Sequence, residues 1–297
     1  MKFICILLKS NKKRVEHVHS HLSKIIPDLE IFNAIEGKTN QLEYYLGKRE
    51  IKEKFYNFCR RGQLACLLSH VEVWKKIINE NINECVILED DALIQENFIE
   101  KFEEIYKVLP KDTDFLYLYV HPDSKKQIDE TQLICEGYYT YGTVCYYITK
   151  KLAIELVLFF EKIIHYTLDE SICWFLSTYN KNYYCITKNL VETSGNLYFQ
   201  HNDEKCVLGS VIGETGEFKN TLPIPTFFID EGDYIYYPAC TIEDENSFFD
   251  SEASKEKYLN DSNVIGFSSN GWVINKFGGK LKINKEVGIY IKKNLKK

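Results

Sequence analysis

Short apolar runs alternate with amphipathic segments over the first two hundred residues. FICILL at 3–8 is continuous, apolar and partly β-branched, which is typical of a strand buried on both faces. A Lys-rich turn and an amphipathic stretch follow, and this stretch predicts a helix at about 14–26. IFNAIEG at 31–37 predicts a second short strand that closes at Gly37, whereas 38–60 has no clean period and receives no assignment.

The clearest helical period begins at Gly62. Large apolar side chains recur three and four residues apart, at Leu64, Leu67, Leu68, Val71, Trp74, Ile77 and Ile78. This spacing predicts an amphipathic helix that ends near Asn81. A polar link then leads into CVIL at 85–88, a predicted buried strand that runs directly into three carboxylates at 89–91.

The alternation of helix and strand continues beyond the carboxylates. The pattern predicts a helix at 98–108 that ends before Pro110, a strand at 115–120, one or two strands at 137–149 interrupted by Gly142, helices at 150–163 and 169–179, and a strand at 183–187. Strands that alternate with helices predict an α/β sandwich around a mostly parallel sheet.

The character of the chain changes beyond about residue 203. A polar stretch with several Gly and two Pro predicts a linker at 206–225, so residues 1–205 are predicted to form the main domain. Aromatic and β-branched runs predict a small β-rich accessory module at 226–297.

Composition excludes several classes of protein. The formal charge of −6 gives no electrostatic reason to bind nucleic acid or anionic lipid. The N-terminal apolar run is too short for a signal peptide, and no run reaches the roughly 20 residues of a membrane helix. We therefore expect no membrane span and a cytoplasmic location, or the host cytoplasm or virion for a viral protein. The ten cysteines form no CxxC pair and lie singly in apolar runs, which disfavours a structural zinc site.

Glu89, Asp90 and Asp91 are the strongest candidates for chemistry. In α/β folds, ligands bind beyond the carboxyl ends of the strands, which is where these residues fall. Clustered carboxylates repel one another and lose hydration there, and a divalent cation would compensate them. Mg²⁺ and Mn²⁺ prefer such oxygen ligands. A simpler reading is an acidic start to the following helix, where carboxylates cap backbone N–H groups.

The surroundings of the triplet resemble glycosyltransferase family 25, which includes bacterial lipooligosaccharide galactosyltransferases and animal collagen galactosyltransferases. RGQLACLLSH at 61–70, followed about twenty residues later by LEDD at 88–91, is similar to the signature of that family. FICILLKSNKKR, NAIEG and YGTVCYYIT resemble further family segments in the same order, and the match covers roughly residues 2–200.

The resemblance implies a GT-A fold, a Rossmann-like nucleotide-sugar-binding sandwich, with a UDP-sugar donor and a Mn²⁺ or Mg²⁺ cofactor. By the same resemblance Asp91 is the most direct metal ligand, and Glu89 lies near the metal or the ribose. Asp90 supports the donor site, and Arg14 meets the uridine or the diphosphate.

Four further residues have competing interpretations. Ser69 and His70 match the family's SH pair beside the donor pocket, although a histidine on an apolar helix is more often a buried structural residue. Asp169 is a candidate general base for the acceptor hydroxyl, or only a helix cap. His201 follows the last strand of the main domain and is a candidate late imidazole ligand to the metal.

Some features depart from the family pattern or lie outside it. Gln63 stands where many members have Glu, Ala65 precedes Cys66 where the family has Gly, and a proline is missing after 183–187, which puts the acceptor side in doubt. GFSSNGWVINKF near the C-terminus resembles a short element in accessory modules of large DNA viruses. The aromatic residues Tyr236, Tyr237, Phe267 and Trp272 are candidates for sugar stacking or for the core of a small β-rich domain. The Lys, Asn and Ile content fits a giant virus or an AT-rich bacterium.

The sequence thus predicts a metal-dependent, inverting transferase that moves a hexose, galactose before glucose, from a UDP-sugar to a hydroxyl. The predicted acceptor is hydroxylysine of a collagen-like protein or a glycan such as lipooligosaccharide, and a homodimer through the small module is an option. Two alternatives stay open. One is a non-catalytic carbohydrate-binding or virion protein on the same scaffold. The other, a nucleotidyl enzyme acting on nucleic acid, is disfavoured by the acidic charge.

Overall fold

The structure is a computed structural model that describes residues 1–56, 59–121, 131–193, 229–237, 240–243, 248–261, 263–275, 280–283 and 287–293. The strands up to residue 193 are β1 Lys2–Leu7, β2 Glu30–Asn33, β3 Glu50–Ile51, β4 Glu84–Glu89, β5 Ala92–Ile94, β6 Phe115–Tyr117, β7 Ile134–Glu136, β8 Cys145–Thr149, β9 Ile163–Ile164, β10 Tyr183–Ile186 and β11 Val191–Thr193. The helices are α1 Lys12–His17, a π-helical segment Val18–Leu22, α2 Ser23–Ile25, α3 Gln41–Leu46, α4 Glu53–Tyr56, α5 Arg61–Asn79, α6 Phe98–Val108, α7 Lys150–Phe159 and α8 Leu168–Thr178.

A seven-stranded sheet forms the centre of the main domain, in the order β2-β1-β4-β8-β6-β10-β7. β1 pairs in parallel with both β2 and β4, and β10 pairs in parallel with β6. β8 runs antiparallel between β4 and β6, and β7 is antiparallel at the edge. The predicted α/β architecture with a mostly parallel sheet is therefore confirmed.

Helices cover both faces of this sheet. Successive residues of a strand point to opposite faces. In β8, Tyr146 packs beside His70 of α5, whereas Tyr147 packs beside Tyr106 of α6. Phe3 of β1 contacts Phe98 and Phe102 of α6 by ring edges. The sheet is thus the middle layer between α5 and α6.

The helix predicted from Gly62 is observed as α5, which begins at Arg61 and ends at Asn79. A capping box closes its first turn, and in it the Gln63 side chain accepts a hydrogen bond from the Arg60 N–H at 2.8 Å. Its apolar stripe is buried, with Trp74 fully enclosed, and it packs against α7. Such burial stabilises the fold by about 1.5–3 kcal/mol for each large apolar side chain. α5 therefore holds its polar residues at fixed positions near β4.

Several predicted strands are shorter than the sequence pattern suggested. The strand at 31–37 is wrong beyond Asn33, and the strand at 115–120 ends at Tyr117. Only Cys145–Thr149 of the predicted 137–149 region is a strand. Gly142 has a φ of 87°, a left-handed conformation that an extended strand does not accommodate.

The C-terminal residues form strands of their own, as predicted. The elements are β12 Ile229–Glu231, β13 Tyr234–Tyr237, β14 Cys240–Glu243, β15 Phe248–Phe249, the short helix α9 Lys255–Tyr258, β16 Gly266–Ser268, β17 Trp272–Ile274, β18 Lys280–Ile283 and β19 Ile289–Lys292. Six of the strands make an antiparallel sheet in the order β12-β13-β19-β16-β17-β15. Tyr234, Tyr258 and Phe267 belong to its core, whereas Trp272 is 47% exposed.

Other predictions about organisation stay predictions. The linker at 206–225 lies outside the described residues, so the domain boundaries are untested, as are a homodimer and the cellular location. None of the described helices has the length and apolar character needed to cross a membrane.

Candidate active site

The acidic triplet lies at the carboxyl end of β4, next to the carboxyl end of β1. Glu89 is the last residue of the strand, and Asp90 and Asp91 form the turn into β5. All three side chains line a cavity of about 330 Å³. Asp90 and Asp91 are only 3% and 7% exposed. Three carboxylates are therefore held in a largely dehydrated recess, where each raises the energy of its neighbours.

Arg14 compensates two of these carboxylates from the first turns of α1. The Asn11 side chain accepts a hydrogen bond from the Arg14 N–H and so begins this helix. The guanidinium forms an ion pair with Asp90 through Nη1, and its Nη2 lies 3.0 Å from Asp91 Oδ2. The Leu8 N–H donates to Asp90 Oδ2 at 2.7 Å. Asp90 is thus fully engaged in support, while Arg14, predicted to meet the donor, lines the cavity as the counter-ion of the triplet.

Asp91 keeps one oxygen without a partner. Its Oδ1 is buried and has no hydrogen bond within the part of the chain that the structure describes. Burial raises the pKa of Asp91 to about 7; the charges of Glu89 and Asp90 add to this and Arg14 opposes it. An unsatisfied carboxylate oxygen in an acidic cavity is a good ligand for a hard divalent cation. The residues present therefore fit a hard divalent cation.

Glu89 connects the triplet to α5 and to the loop before β8. Its Oε1 accepts a hydrogen bond from Thr143 Oγ1 at 2.6 Å and lies 3.3 Å from His70 Nε2. Burial alone would raise the pKa of Glu89, but the His70 imidazole, the Thr143 hydroxyl and the Arg14 charge outweigh it, so the pKa lies below its ordinary value. Glu89 is consequently ionised at neutral pH and available to a cation.

His70 is fully buried and faces the cavity. Its Nδ1 lies 2.7 Å from the Tyr146 hydroxyl, which also accepts a hydrogen bond from Trp74 Nε1 at 3.0 Å. Its Nε2 has no hydrogen-bond partner among the described residues, despite its short distance to Glu89. The imidazole is therefore fixed at one nitrogen and open at the other. The structural and the donor-site interpretations of His70 are both compatible with this position.

Asp169 lies in the first turn of α8 and borders two adjoining cavities. The second cavity, of about 410 Å³, shares Glu89, Gly142 and Asp169 with the first and extends along Thr167 and Glu170. Asp169 Oδ1 accepts hydrogen bonds from Thr167 Oγ1 at 2.6 Å and from the Glu170 N–H at 3.0 Å. The helix begins after Thr167, so Asp169 is not its cap. The carboxylate is held rigidly at the junction of the two cavities.

The comparisons with known proteins identify the family. A model of glycosyltransferase family 25, described as an LPS biosynthesis protein family, matches residues 1–172. The chain belongs to glycosyltransferase family 25. The predicted family is confirmed by this match.

The matches to individual relatives cover only part of the length of those proteins. Mouse procollagen galactosyltransferase 2 is 26% identical over 167 residues, which are 51% of this chain and 26% of that protein. A bovine probable inactive glycosyltransferase 25 family member 3 is 24% identical over 92 residues, 29% of this chain and 16% of that protein. The chain thus spans about a quarter or less of these relatives. Mouse xyloside xylosyltransferase 1 overlays 61% of this chain and 70% of its own with a TM-score of 0.32 and 9% identity, too low to support an argument.

The family 25 motif residue Ser69 joins two elements of the site. Its hydroxyl donates to the Ala65 carbonyl at 2.6 Å and accepts from the Ile35 N–H at 2.9 Å. Ile35 lies in the NAIEG segment, which resembles another segment of the family, so these two parts of the sequence meet in space. Both hydrogen-bonding directions of the hydroxyl are used within the protein, and its predicted contact with the donor stays a prediction.

Replacing Ser69 with Ala is expected to destabilise the protein by about 1–3 kcal/mol, because the buried Ile35 N–H loses its acceptor. Urea denaturation at pH 7 measures the change, with Ser177→Ala as a control. Ser177 also donates from a helix to the carbonyl four residues earlier, but it accepts no N–H from the described backbone. Equal losses in the two variants would contradict the assigned link between the motifs.

Arg61, the first residue of the segment that resembles the family 25 signature, holds neighbouring parts of the chain in place. Its guanidinium donates to both oxygens of Glu43, at 2.7 and 3.0 Å, and its Nε donates to the Gly37 carbonyl at 2.6 Å. A side chain at Gly37 would come within 3.2 Å of the Arg61 backbone, which explains the glycine. This clamp fixes the segment 37–43 beside the cavity.

Sequence reasoning missed two residues of the site. Thr143 was recognised only as part of a motif, and its bond to Glu89 could not be foreseen. Cys66 was treated as a small hydrophobe, yet its half-buried thiol lines both cavities. Burial raises the pKa of the Cys66 thiol well above its ordinary value, and Glu89 and Asp169 add to this. The available signal was the spacing of Cys66 and His70, four residues apart on one helix face.

His201 lies outside the described residues, so its predicted metal role is untested.

Proposed function

We propose that this protein transfers galactose from UDP-galactose to a hydroxyl group in a metal-dependent, inverting reaction. The observation that carries the proposal is the unpartnered Asp91 Oδ1 in a cavity beside ionised Glu89. The family membership and the names of the galactosyltransferase relatives support the sugar. The same names favour hydroxylysine of a collagen-like chain as acceptor, with a lipooligosaccharide-type glycan as the alternative.

Asp91 and Glu89 would hold the cation, and Asp90 and Arg14 would fix the turn that presents them. When bound, a divalent cation neutralises the negative charge that develops on a departing diphosphate. Arg14 bridges Asp90 and Asp91 but supplies only one positive charge against the three carboxylates of the triplet, so the excess negative charge of the cavity favours a divalent ion. The 330 Å³ cavity falls within the size range of small-molecule pockets and is the proposed donor site.

Asp169 is the proposed general base because it stands where the two cavities meet. An acceptor hydroxyl in the second cavity would give its proton to this carboxylate while the oxygen attacks the anomeric carbon of the donor. The hydrogen bonds from the Thr167 hydroxyl and the Gly142 N–H, at 2.6 and 3.3 Å, keep the carboxylate oriented.

We expect Asp169→Asn to lower kcat by about 10²–10⁴-fold with little change in Mn²⁺ binding.

The decisive assay combines a donor panel with two acceptors. UDP-galactose, UDP-glucose and UDP-xylose are incubated with Mn²⁺ and either a hydroxylysine-containing collagen peptide or an oligosaccharide, and product is detected by mass spectrometry. Transfer from UDP-galactose supports the proposal, and the acceptor that reacts decides between the two classes. A protein that binds saccharide, transfers no sugar and shows no Mn²⁺-dependent binding of UDP would instead be non-catalytic.

The affinity for Mn²⁺ is expected to depend on pH through Asp91. Since its pKa is raised to about 7, protons compete with the cation below that pH. The apparent affinity should rise by about tenfold per pH unit up to pH 7 and level off above it. Isothermal titration calorimetry between pH 5.5 and 8.5 measures this. A flat profile would contradict the role of Asp91.

A further inference from the structure

A second set of metal-ligand side chains lies beside the triplet. Cys66 and His70 are one helical turn apart on α5, and Glu89 faces them from the end of β4. One ligand atom from each, Sγ, an imidazole nitrogen and a carboxylate oxygen, lie within 4.8 Å of one another. No other such set of three is present in the part of the chain that the structure describes.

The separation of His70 and Glu89 fits a tetrahedral ion. His70 Nε2 and Glu89 Oε1 are 3.3 Å apart. An ion with metal–nitrogen and metal–oxygen bonds of about 2.0–2.1 Å at a tetrahedral angle also separates its two ligand atoms by about 3.3 Å. Apart from this close approach to Glu89, Nε2 has no hydrogen-bond partner among the described residues. A cation shared by the two side chains would suit this spacing.

The other nitrogen of His70 is already oriented as in many metal sites. Histidine ligands commonly donate their second ring N–H to a fixed acceptor. Here Nδ1 lies 2.7 Å from the Tyr146 hydroxyl, which Trp74 Nε1 holds at 3.0 Å. Binding at Nε2 would select the tautomer in which Nδ1–H donates to Tyr146. Ring stacking of His70 on Tyr146, with centroids 5.6 Å apart, further limits rotation.

The ligand chemistry differs from that of the triplet. A thiolate and an imidazole select zinc or cobalt, whereas Asp91 offers only oxygen for manganese or magnesium. Cys66, His70 and Glu89 all border the 330 Å³ cavity, so a fourth position faces open space. On binding, the Cys66 thiol gives its proton to solvent and its sulfur bonds to the metal.

We propose that Cys66, His70 and Glu89 form a zinc site, and that zinc bound there competes with manganese for Glu89. The zinc site itself is independent of the transferase proposal, whereas the competition rests on that proposed function. Zinc would then act as an inhibitor by removing Glu89 from the donor site.

Cobalt absorption tests the site. Co²⁺ is titrated into the metal-free full chain, and a thiolate-to-cobalt charge-transfer band with tetrahedral visible bands is expected at one ion per chain. Zn²⁺ should abolish these bands at about one equivalent, whereas Mn²⁺, which shares only Glu89 with the site, should weaken them only in large excess. Cys66→Ser and Cys66→Ala should lose the charge-transfer band. The control Cys135→Ser, at another half-buried cysteine that lies in β7 outside the cavity, should keep it.

The outcomes separate the two proposals. Absence of the band in the natural sequence, or its persistence in both Cys66 variants, overturns the zinc site. In Mn²⁺ titrations, prior zinc loading should weaken Mn²⁺ binding at least about tenfold, and unchanged binding overturns the shared use of Glu89. If Mn²⁺ fails to bind even without zinc, the transferase proposal fails, while the cobalt spectrum still decides the zinc site.

Discussion

Asp91→Asn is expected to lower kcat/KM by about 10³-fold, equivalent to about 4 kcal/mol, while leaving the fold intact. The amide removes the charge that would bind the cation but keeps the size of the side chain. Stability should be unchanged or higher at pH 8. The pKa of Asp91 in the folded protein, about 7, lies above its ordinary value of 3.8, so its stabilising contribution is complete at low pH and is lost as the pH rises to 7. Kinetics and urea denaturation measure the two effects together.

The matched control is Asp28→Asn, an exposed carboxylate away from the cavity. This variant should keep normal activity and Mn²⁺ affinity. Loss of activity in Asp91→Asn together with a large loss of stability would show that Asp91 supports the fold rather than the metal. Normal activity in Asp91→Asn would contradict the proposed function directly.

Arg14→Met is expected to destabilise the metal-free protein by about 3–5 kcal/mol at pH 8, because it leaves buried Asp90 and Asp91 without their counter-ion. The methionine preserves much of the apolar stem. The loss should be smaller at pH 5.5, where Asp91 takes up a proton. Saturating Mn²⁺, at about 100 times its Kd, should restore about 2.7 kcal/mol if the cation replaces the missing charge.

Lys13→Met serves as the control for Arg14→Met, since Lys13 is an exposed neighbour on the same helix. Chemical denaturation with and without Mn²⁺ is the measurement. If both variants lose the same stability, Arg14 is not the counter-ion of the triplet. If Mn²⁺ stabilises neither protein, the cation does not bind among these carboxylates.

Local patterns were sufficient to predict the elements that carry the site. The period of α5 and the apolar run of β4 are complete within a few turns or residues, so sequence identifies them directly. The short strand β5 was missed because three residues after an acidic turn have no period, and their partner β11 lies about a hundred residues further along the chain. Its pairing depends on contacts that a local pattern does not contain.

The same difference between local patterns and long-range contacts explains which site residues the sequence revealed. The triplet was found because its carboxylates adjoin in sequence, whereas the ion pair of Arg14 with Asp90 spans 76 residues. The aromatic and β-branched composition of 137–149 favoured strands, but Gly142 turns the chain and brings Thr143 to Glu89. Cys66 resembled a core residue until the fold placed it at a cavity wall.

The direction of β1 decides where the protein can be attached to a surface or a dye. β1 runs from Lys2, at the end of the sheet away from the cavity, to Leu7 beside the triplet, and β4 is parallel to it. A linker joined at Lys2 would therefore emerge at the end of the strands that is opposite the cavity. Immobilisation through that end would leave the cavity accessible from solvent.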